Sequence, residues 1–205
     1  MGPQMRNRLA FVVVYTLVAL VVLSGCGAPA LGSDNANGQT DWGGSVFDPP
    51  RVLKDFTLTD QTGKPFHLND LHGKAALVYF GYTHCPDFCP ITLADFTRVR
   101  KALGDADPQT AFVFISVDGT HDTPPVLGTY LGAFDPTFIG LTGDVATVEQ
   151  IGTDFAVYFT QTPDGQISHA TRISLLDPDG KLRVSYLVGT APQVIAQDIR
   201  KLVGK

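Results

Sequence analysis

Two cysteines, Cys85 and Cys89, are separated by three residues in the segment His84-Cys85-Pro86-Asp87-Phe88-Cys89-Pro90. One helical turn brings Cα atoms four residues apart to about 6 Å, within the ~4.4–6.8 Å that a disulfide requires. The same separation lets two thiolates converge on one ion, and thiolates select soft metals. The spacing alone therefore leaves both a disulfide and a metal site open.

The cysteine segment joins a predicted buried strand over residues 75–82 to a predicted helix over residues 90–103. Because proline is favoured at the first position of a helix, we expect the helix to begin at Pro90 and Cys85 to lie in the preceding loop. Cys89 then stands at the helix N-terminus, where the helix dipole favours the thiolate and is expected to lower the pKa of the thiol.

Strand and helix patterns alternate along the rest of the chain. A second buried strand is predicted over residues 110–117, one hairpin turns at residues 61–64, and another turns at Pro178-Asp179-Gly180. Further helices are predicted over residues 123–133, 144–156 and 191–203. This order predicts an α/β domain of thioredoxin-like type. Its three α/β/α layers surround a mixed sheet, with an N-terminal hairpin and an insertion before the last hairpin.

A histidine is well suited to complete a site that contains two thiolates. His169 lies just before the final hairpin, in a loop that faces the cysteine loop in a thioredoxin-like topology. A general thiol–disulfide exchanger would show Cys-x-x-Cys and a proline at this place, and the sequence has neither. His169 is therefore well placed to become a third ligand.

Asp118 follows the second buried strand and reaches the same edge of the sheet, where ligand and catalytic sites of α/β proteins gather. It either orders its loop or contributes to the metal site as an auxiliary group, and the sequence leaves both roles open. Asp122 is expected to cap the helix that opens at Thr123. His84 either supports the metal site from beside Cys85 or is exposed to solvent, and the exposed position is favoured. Phe88 is expected to pack in the core or in its loop.

The first 25 residues are typical of an export signal. Arg6 and Arg8 precede an uncharged apolar run over residues 9–23, which is too short to span a bilayer. The run ends at Leu23-Ser24-Gly25-Cys26, which resembles a bacterial lipobox. Cleavage before Cys26 and acylation of its thiol would anchor the protein to the cell membrane, with the domain on the extracytoplasmic or periplasmic side. A short uncleaved anchor is the alternative.

The mature chain then begins at Cys26. Residues 26–49 are rich in small and polar types and are predicted to form a flexible tether, followed by the domain at residues 50–205. Trp42, within this tether, is expected to pack on the edge of the domain. With Cys26 acylated, the cysteine pair alone remains as thiols, in a compartment that favours disulfides.

The composition excludes several classes of protein. Hydrophobic residues make up 44% of the 205 residues and include 13 phenylalanines, too many for a disordered chain. Fifteen basic and 20 acidic residues give a net charge of −5. An acidic chain has no general attraction for a phosphate backbone, so we expect no nucleic-acid partner.

Four parts of the sequence form a recognisable set: Gly81-Tyr82-Thr83-His84-Cys85-Pro86-Asp87-Phe88-Cys89-Pro90, Ser116-Val117-Asp118 with Asp122-Thr123-Pro124, Phe134-Asp135-Pro136 with Gly140-Leu141-Thr142-Gly143, and His169. Together they resemble the Sco/SenC family, thioredoxin-like copper-binding assembly factors of cytochrome c oxidase. The resemblance covers residues 50–205 and implies that Cys85, Cys89 and His169 bind copper. This sequence departs from the family pattern at Ser168, where an acidic residue is frequent. It also departs at residues 119 and 121, where proline and arginine are usual.

Two functions are consistent with this resemblance. The first is a copper metallochaperone that delivers copper, as Cu(I) or Cu(II), to the dinuclear copper centre of cytochrome c oxidase subunit II, with a copper donor protein as a further partner. The second is a membrane-anchored thiol–disulfide oxidoreductase that uses Cys85 and Cys89 to reduce the client's copper-ligating cysteines.

Two other classes are less favoured: a peroxidase, because Thr83-His84-Cys85 is one residue shorter than a Thr-x-x-Cys loop, and a binding module with a structural disulfide.

Overall fold

The computed structural model describes residues 41–161, 167–169 and 172–204. The strands are β1 (Ser45–Arg51), β2 (Thr57–Asp60), β3 (Pro65–His67), β4 (Ala75–Gly81), β5 (Thr110–Ser116), β6 (Ile139–Thr142), β7 (Phe159–Gln161), β8 (Ile167–His169), β9 (Arg172–Leu176) and β10 (Leu182–Leu187). The helices are α1 (Phe88–Leu103), α2 (Pro124–Gly132), α3 (Val145–Asp154) and α4 (Pro192–Val203).

Within these ranges, eight strands form one mixed sheet in the order β1-β10-β9-β4-β5-β6-β2-β3, and β7 pairs with β8 apart from it. Strands β4, β5 and β6 are parallel, and the remaining neighbours are antiparallel. The predicted N-terminal hairpin is β2–β3, the final hairpin is β9–β10, and the β7–β8 pair is the insertion before it. The prediction of a mixed α/β sheet is therefore confirmed.

Helices cover both faces of the sheet. Successive side chains of a strand point to opposite faces, and Tyr79 of β4 is in register with Phe114 of β5. Phe114 packs against Tyr130 of α2, with 6.1 Å between ring centroids. Phe80, on the other face, packs against Phe155 at the end of α3, at 5.3 Å. This double covering explains why every residue of β4 is buried.

The domain begins before the predicted boundary at residue 50. Strand β1 pairs with β10 from Ser45 onward, and the Gly43 amide donates a hydrogen bond of 2.8 Å to the buried carboxylate of Asp198. Trp42 packs against the domain, as predicted, with the Lys201 ammonium 5.1 Å from the centroid of its ring. The prediction of a flexible tether up to residue 49 is therefore wrong for residues 42–49, because strand pairing and a buried acceptor hold this segment.

No helix in the described part of the chain is long and apolar enough to cross a membrane. The predicted signal sequence and the predicted acylation site at Cys26 lie outside the described residues, and both stay predictions.

Candidate functional site

The cysteine pair lies at the carboxyl edge of the sheet, where β4 leads into α1. Helix α1 begins at Phe88, two residues before the predicted start, so Cys89 is its second residue and Pro90 its third. The prediction that the helix begins at Pro90 is wrong. The first four amides of a helix have no intrahelical acceptor, so a proline fits throughout the first turn and does not fix which residue comes first.

Cys89 is completely buried at this edge. The Tyr79 hydroxyl lies 3.8 Å from its sulfur, and the Tyr82 backbone amide is hydrogen-bonded to it. A Cβ atom placed on Gly81 would come within 2.8 Å of the sulfur, so any larger residue there would force a neighbouring side chain to move. Burial raises the pKa of the Cys89 thiol to about 12. The predicted lowering by the helix dipole is wrong, because removal from water outweighs the dipole at this depth.

Cys85 lies nearer the surface, with 9% of its area exposed. Its backbone amide donates to the Tyr82 carbonyl over 3.3 Å, and its thiol is hydrogen-bonded to Cys89. Neither Cys85 nor Cys89 is part of a disulfide in the described part of the chain. The pair is therefore a hydrogen-bonded dithiol, which suits either closure to a disulfide or capture of a soft metal ion.

Tyr82 connects the cysteine loop to β8. Its hydroxyl is hydrogen-bonded to the Cys85 thiol and also accepts from the Ile167 backbone amide. Burial, followed by the neighbouring thiols, raises the pKa of Tyr82, which keeps the phenol neutral. Strand β8 thus passes beside the cysteine loop, and the backbone of His169 lies two residues beyond Ile167, paired with Phe159 of β7.

The side chain of His169 lies outside the described residues. Among the side chains that the structure describes, no group of three or more His, Cys, Asp or Glu residues is arranged to hold a metal ion. The three-ligand site of Cys85, Cys89 and His169 therefore stays a prediction.

Asp122 does not cap α2, and the prediction of that role is wrong. Thr123 is the N-cap residue of α2. The completely buried Asp122 carboxylate accepts from the Thr83 amide (3.0 Å), the Thr83 hydroxyl (2.6 Å) and the Ser116 hydroxyl (2.6 Å). Because Thr83 belongs to the cysteine loop and Ser116 ends β5, Asp122 fastens that loop to the neighbouring strand.

Asp118 orders its own loop, which is one of the two roles that the sequence left open. Its buried carboxylate lies 2.9 Å from Nδ1 of His121 and 3.4 Å from Nε2 of His84. The hydrogen bond to Asp118, together with the charge of this carboxylate, raises the pKa of His121. His84 is half exposed, as predicted, and lies beside Cys85 in the chain. A role of Asp118 at the metal stays a prediction.

Phe88 is not part of the core. Half of its area is exposed, and Ile91, one turn further along α1, is 53% exposed. A place for Phe88 in the core is therefore wrong, since the buried side of this turn is occupied by Cys89 and Thr92. Phe88 and Ile91, which flank the buried Cys89 along the helix, are termed the apolar patch below.

The fold and the cysteine pair define the class of protein. Helices on both faces of a mixed sheet, a dithiol between β4 and α1, and an inserted strand pair before the last hairpin are the features of a thioredoxin-like domain with a Cys-x-x-x-Cys site. The SCO1/SenC family matches residues 46–204 of this sequence. The chain belongs to the SCO1/SenC family, which confirms the resemblance found in the sequence.

Solved structures of the family share the fold. Bradyrhizobium japonicum ScoI with copper bound is 37% identical, with a TM-score of 0.66, over 74% of this chain and 99% of that one. A SCO1/SenC family lipoprotein from Bacillus anthracis is 29% identical, with a TM-score of 0.70, over 75% and 95% of the two chains. BsSco has a disulfide switch and is a member of the Sco family of cytochrome c oxidase assembly proteins. It is 27% identical, with a TM-score of 0.65, over 76% of this chain and 95% of that one. The thioredoxin-like fold is thereby confirmed.

Proposed function

We propose that this protein is a copper metallochaperone that delivers copper to the dinuclear copper centre of cytochrome c oxidase subunit II during assembly of the oxidase. The observation that carries the proposal is the pair of hydrogen-bonded cysteine thiols in a loop that contacts β8 through Tyr82 and the Ile167 amide. Membership of the SCO1/SenC family, the copper bound to the Bradyrhizobium protein and the oxidase-assembly description of the family of BsSco support it.

Cys85, Cys89 and His169 are the proposed ligands of the copper cargo. Two thiolates suit Cu(I), and an added imidazole lets the same site hold Cu(II). Because burial keeps the Cys89 thiol protonated, copper must displace that proton, and the apparent affinity rises with pH. The Tyr79 hydroxyl can donate to the sulfur as it becomes anionic and offset part of the cost of burying the charge. Asp118 is a proposed auxiliary group through its contact with His84, the neighbour of Cys85.

A second function is favoured by the hydrogen bond between the Cys85 and Cys89 thiols. Cys85, the more exposed sulfur, would attack a client disulfide as the thiolate and form a mixed disulfide. Cys89 would then lose its proton, attack Cys85 and release the second client thiol. Two client sulfurs are reduced, the two cysteines here are oxidised to one disulfide, and two protons pass to the client. The disulfide switch of BsSco supports this chemistry.

We also propose that Cys26 carries a lipid and that the domain faces the extracytoplasmic or periplasmic side of the cell membrane. The sequence Leu23-Ser24-Gly25-Cys26 supports this assignment, as does the description of the Bacillus anthracis relative as a lipoprotein.

A transfer experiment separates the two functions. In one arm, the copper-loaded full-length protein is mixed with the reduced, metal-free copper domain of subunit II, and the visible absorption of the dinuclear centre is followed. In the other arm, the metal-free protein is mixed with the oxidised domain, and the free thiols of the client are counted after alkylation.

We expect Cys89→Ser to abolish both reactions, because each requires two sulfurs. His169→Ala should abolish transfer and leave reduction intact. His67→Ala is the matched control, since His67 is exposed in the β2–β3 hairpin and should affect neither arm. Wild-type protein that transfers no copper would contradict the metallochaperone function, and transfer that survives Cys89→Ser would contradict the assignment of Cys89 as a ligand.

A further inference from the structure

The apolar patch lies on the first two turns of α1, with Cys89 buried between its two members. Phe88 is 50% exposed and Ile91 is 53% exposed, although the rest of this helix buries its apolar side chains in the core. Val126, which is 40% exposed, lies in the first turn of α2, and α2 follows the loop that leaves the same edge of the sheet. Exposed apolar side chains that gather beside a reactive site mark an interaction surface.

The loops around this patch carry negative charge without compensating lysine or arginine. The cysteine loop lies within residues 75–97, and the loops after β5 and β6 lie within residues 102–171. Neither range contains a lysine or an arginine. Asp87 and Asp144 are exposed in these loops. Asp122, completely buried behind the cysteine loop, accepts its hydrogen bonds from neutral hydroxyl and amide donors. The edge around the cysteines is thus apolar at the patch and acidic around it.

We propose that the apolar patch docks a protein partner through a cationic amphipathic segment. Apolar side chains of that segment would cover Phe88 and Ile91, while its lysines or arginines would face Asp87 and Asp144. An acidic edge steers such a segment toward the cysteines before contact and rejects acidic surfaces. The same charge repels anionic lipid headgroups, so the observations favour a protein over a membrane surface as the occupant.

Docking of a cationic amphipathic segment specifies the chemistry of the partner of the proposed metallochaperone. It rests on that proposed function, because a client must reach the cysteines. The test uses reduced, metal-free, full-length protein in nanodiscs of zwitterionic lipid, so that it can fail or succeed whether or not copper binds. The probes are two fluorescent 14-residue helical peptides, one with leucine and lysine faces and one with glutamate in place of every lysine. Fluorescence anisotropy gives the Kd at several salt concentrations, with empty nanodiscs as the blank.

We expect the lysine peptide to bind the protein more tightly than the glutamate peptide or the blank, and to bind more weakly as salt screens the charges. Phe88→Ser combined with Ile91→Ser should raise the Kd roughly tenfold, because both side chains lose the burial of their exposed halves. Asp87→Lys combined with Asp144→Lys should also weaken binding and remove most of its salt dependence.

Two matched control variants lie at the opposite edge of the sheet. Val52 follows Arg51, which is paired with Leu182, and Asp179 lies in the β9–β10 turn. Val52→Ser removes an exposed apolar side chain, and Asp179→Lys reverses an exposed charge, so both should bind the lysine peptide as the wild type does.

Three results would overturn the docking role. They are equal affinity for the two peptides, no excess of binding over empty nanodiscs, and losses in the control variants as large as those in the patch variants. Hydroxyl-radical labelling of the patch in anionic nanodiscs without peptide gives a further check. Protection of Phe88 there would assign the patch to the membrane surface instead.

Discussion

Replacing Gly81 by alanine tests whether the end of β4 is built around the Cys89 sulfur. The new Cβ atom would lie 2.8 Å from that sulfur and 2.8 Å from a ring carbon of Phe114, whereas non-bonded carbon atoms settle at about 3.5–4.0 Å. Both neighbours are buried, so the overlap forces one of them to move. Overpacking of this kind costs about 1–3 kcal/mol of unfolding free energy. For a domain of this size, that loss lowers the Tm by roughly 2–12 °C.

Gly132→Ala is the matched control for this substitution. Gly132 ends α2, and a Cβ atom there would meet nothing within 4 Å. Alanine in a helix should therefore leave the stability unchanged or raise it by up to about 1 kcal/mol. Urea unfolding and thermal melts of the reduced, metal-free proteins measure both variants.

The same two variants connect packing to the site. Cu(I) affinity, measured by competition with a chromogenic chelator, should fall for Gly81→Ala because the Cys89 sulfur is displaced, and should not change for Gly132→Ala. A Gly81→Ala protein with the stability and Cu(I) affinity of the wild type would refute the reasoning, as would equal destabilisation of the two variants.

Three further predictions concern carboxylates. Asp122→Ala should lower the free energy of unfolding, measured in urea, by about 3 kcal/mol, because buried amide and hydroxyl donors lose their acceptor. A loss below about 1 kcal/mol would show that these contacts do not hold the loop. Asp198→Ala should free the N-terminal segment, so that the emission of Trp42 shifts to the red while the far-ultraviolet circular dichroism is kept; an unchanged emission maximum would speak against this anchor. In the metal-free protein, the NMR titration midpoint of His121 should lie above 6.5 and return toward it in Asp118→Asn, and equal midpoints would contradict the pairing. Because the pKa of His121 is raised on folding, its stabilising effect is present below pH 6.5 and is lost as the pH rises through the raised pKa.

Much of the fold could be predicted because its signals are local. The apolar runs of β4 and β5 are typical of strands that are covered on both faces, and Pro178-Asp179-Gly180 specifies the final turn, where Gly180 has a φ of 77°. The start of the domain could not be found in this way. Residues 42–44 are held by α4 and β10, and the Gly43 amide reaches a carboxylate 155 residues away.

The features of the site that the sequence did not predict depend on how deeply a side chain is buried and on hydrogen-bond partners that are distant in the chain. The helix dipole and burial act on the pKa of Cys89 in opposite directions, and the sequence does not give the depth that decides between them. The position of Asp122 before a helix also fits a capping residue, while its acceptor role is defined by Thr83, which lies 39 residues earlier. The Asp118–His121 pair did have a local signal, since the two residues are three apart, next to the end of a buried strand.

The most direct test of the proposed copper site is the X-ray absorption spectrum, at the copper edge, of full-length protein loaded with one equivalent of Cu(I). We expect two sulfur neighbours and one imidazole nitrogen in the wild type. The sulfur count should fall to one in Cys89→Ser, and the imidazole scattering should disappear in His169→Ala. A copper shell without sulfur, or a sulfur count that Cys89→Ser leaves at two, would contradict the assignment of copper to Cys85, Cys89 and His169.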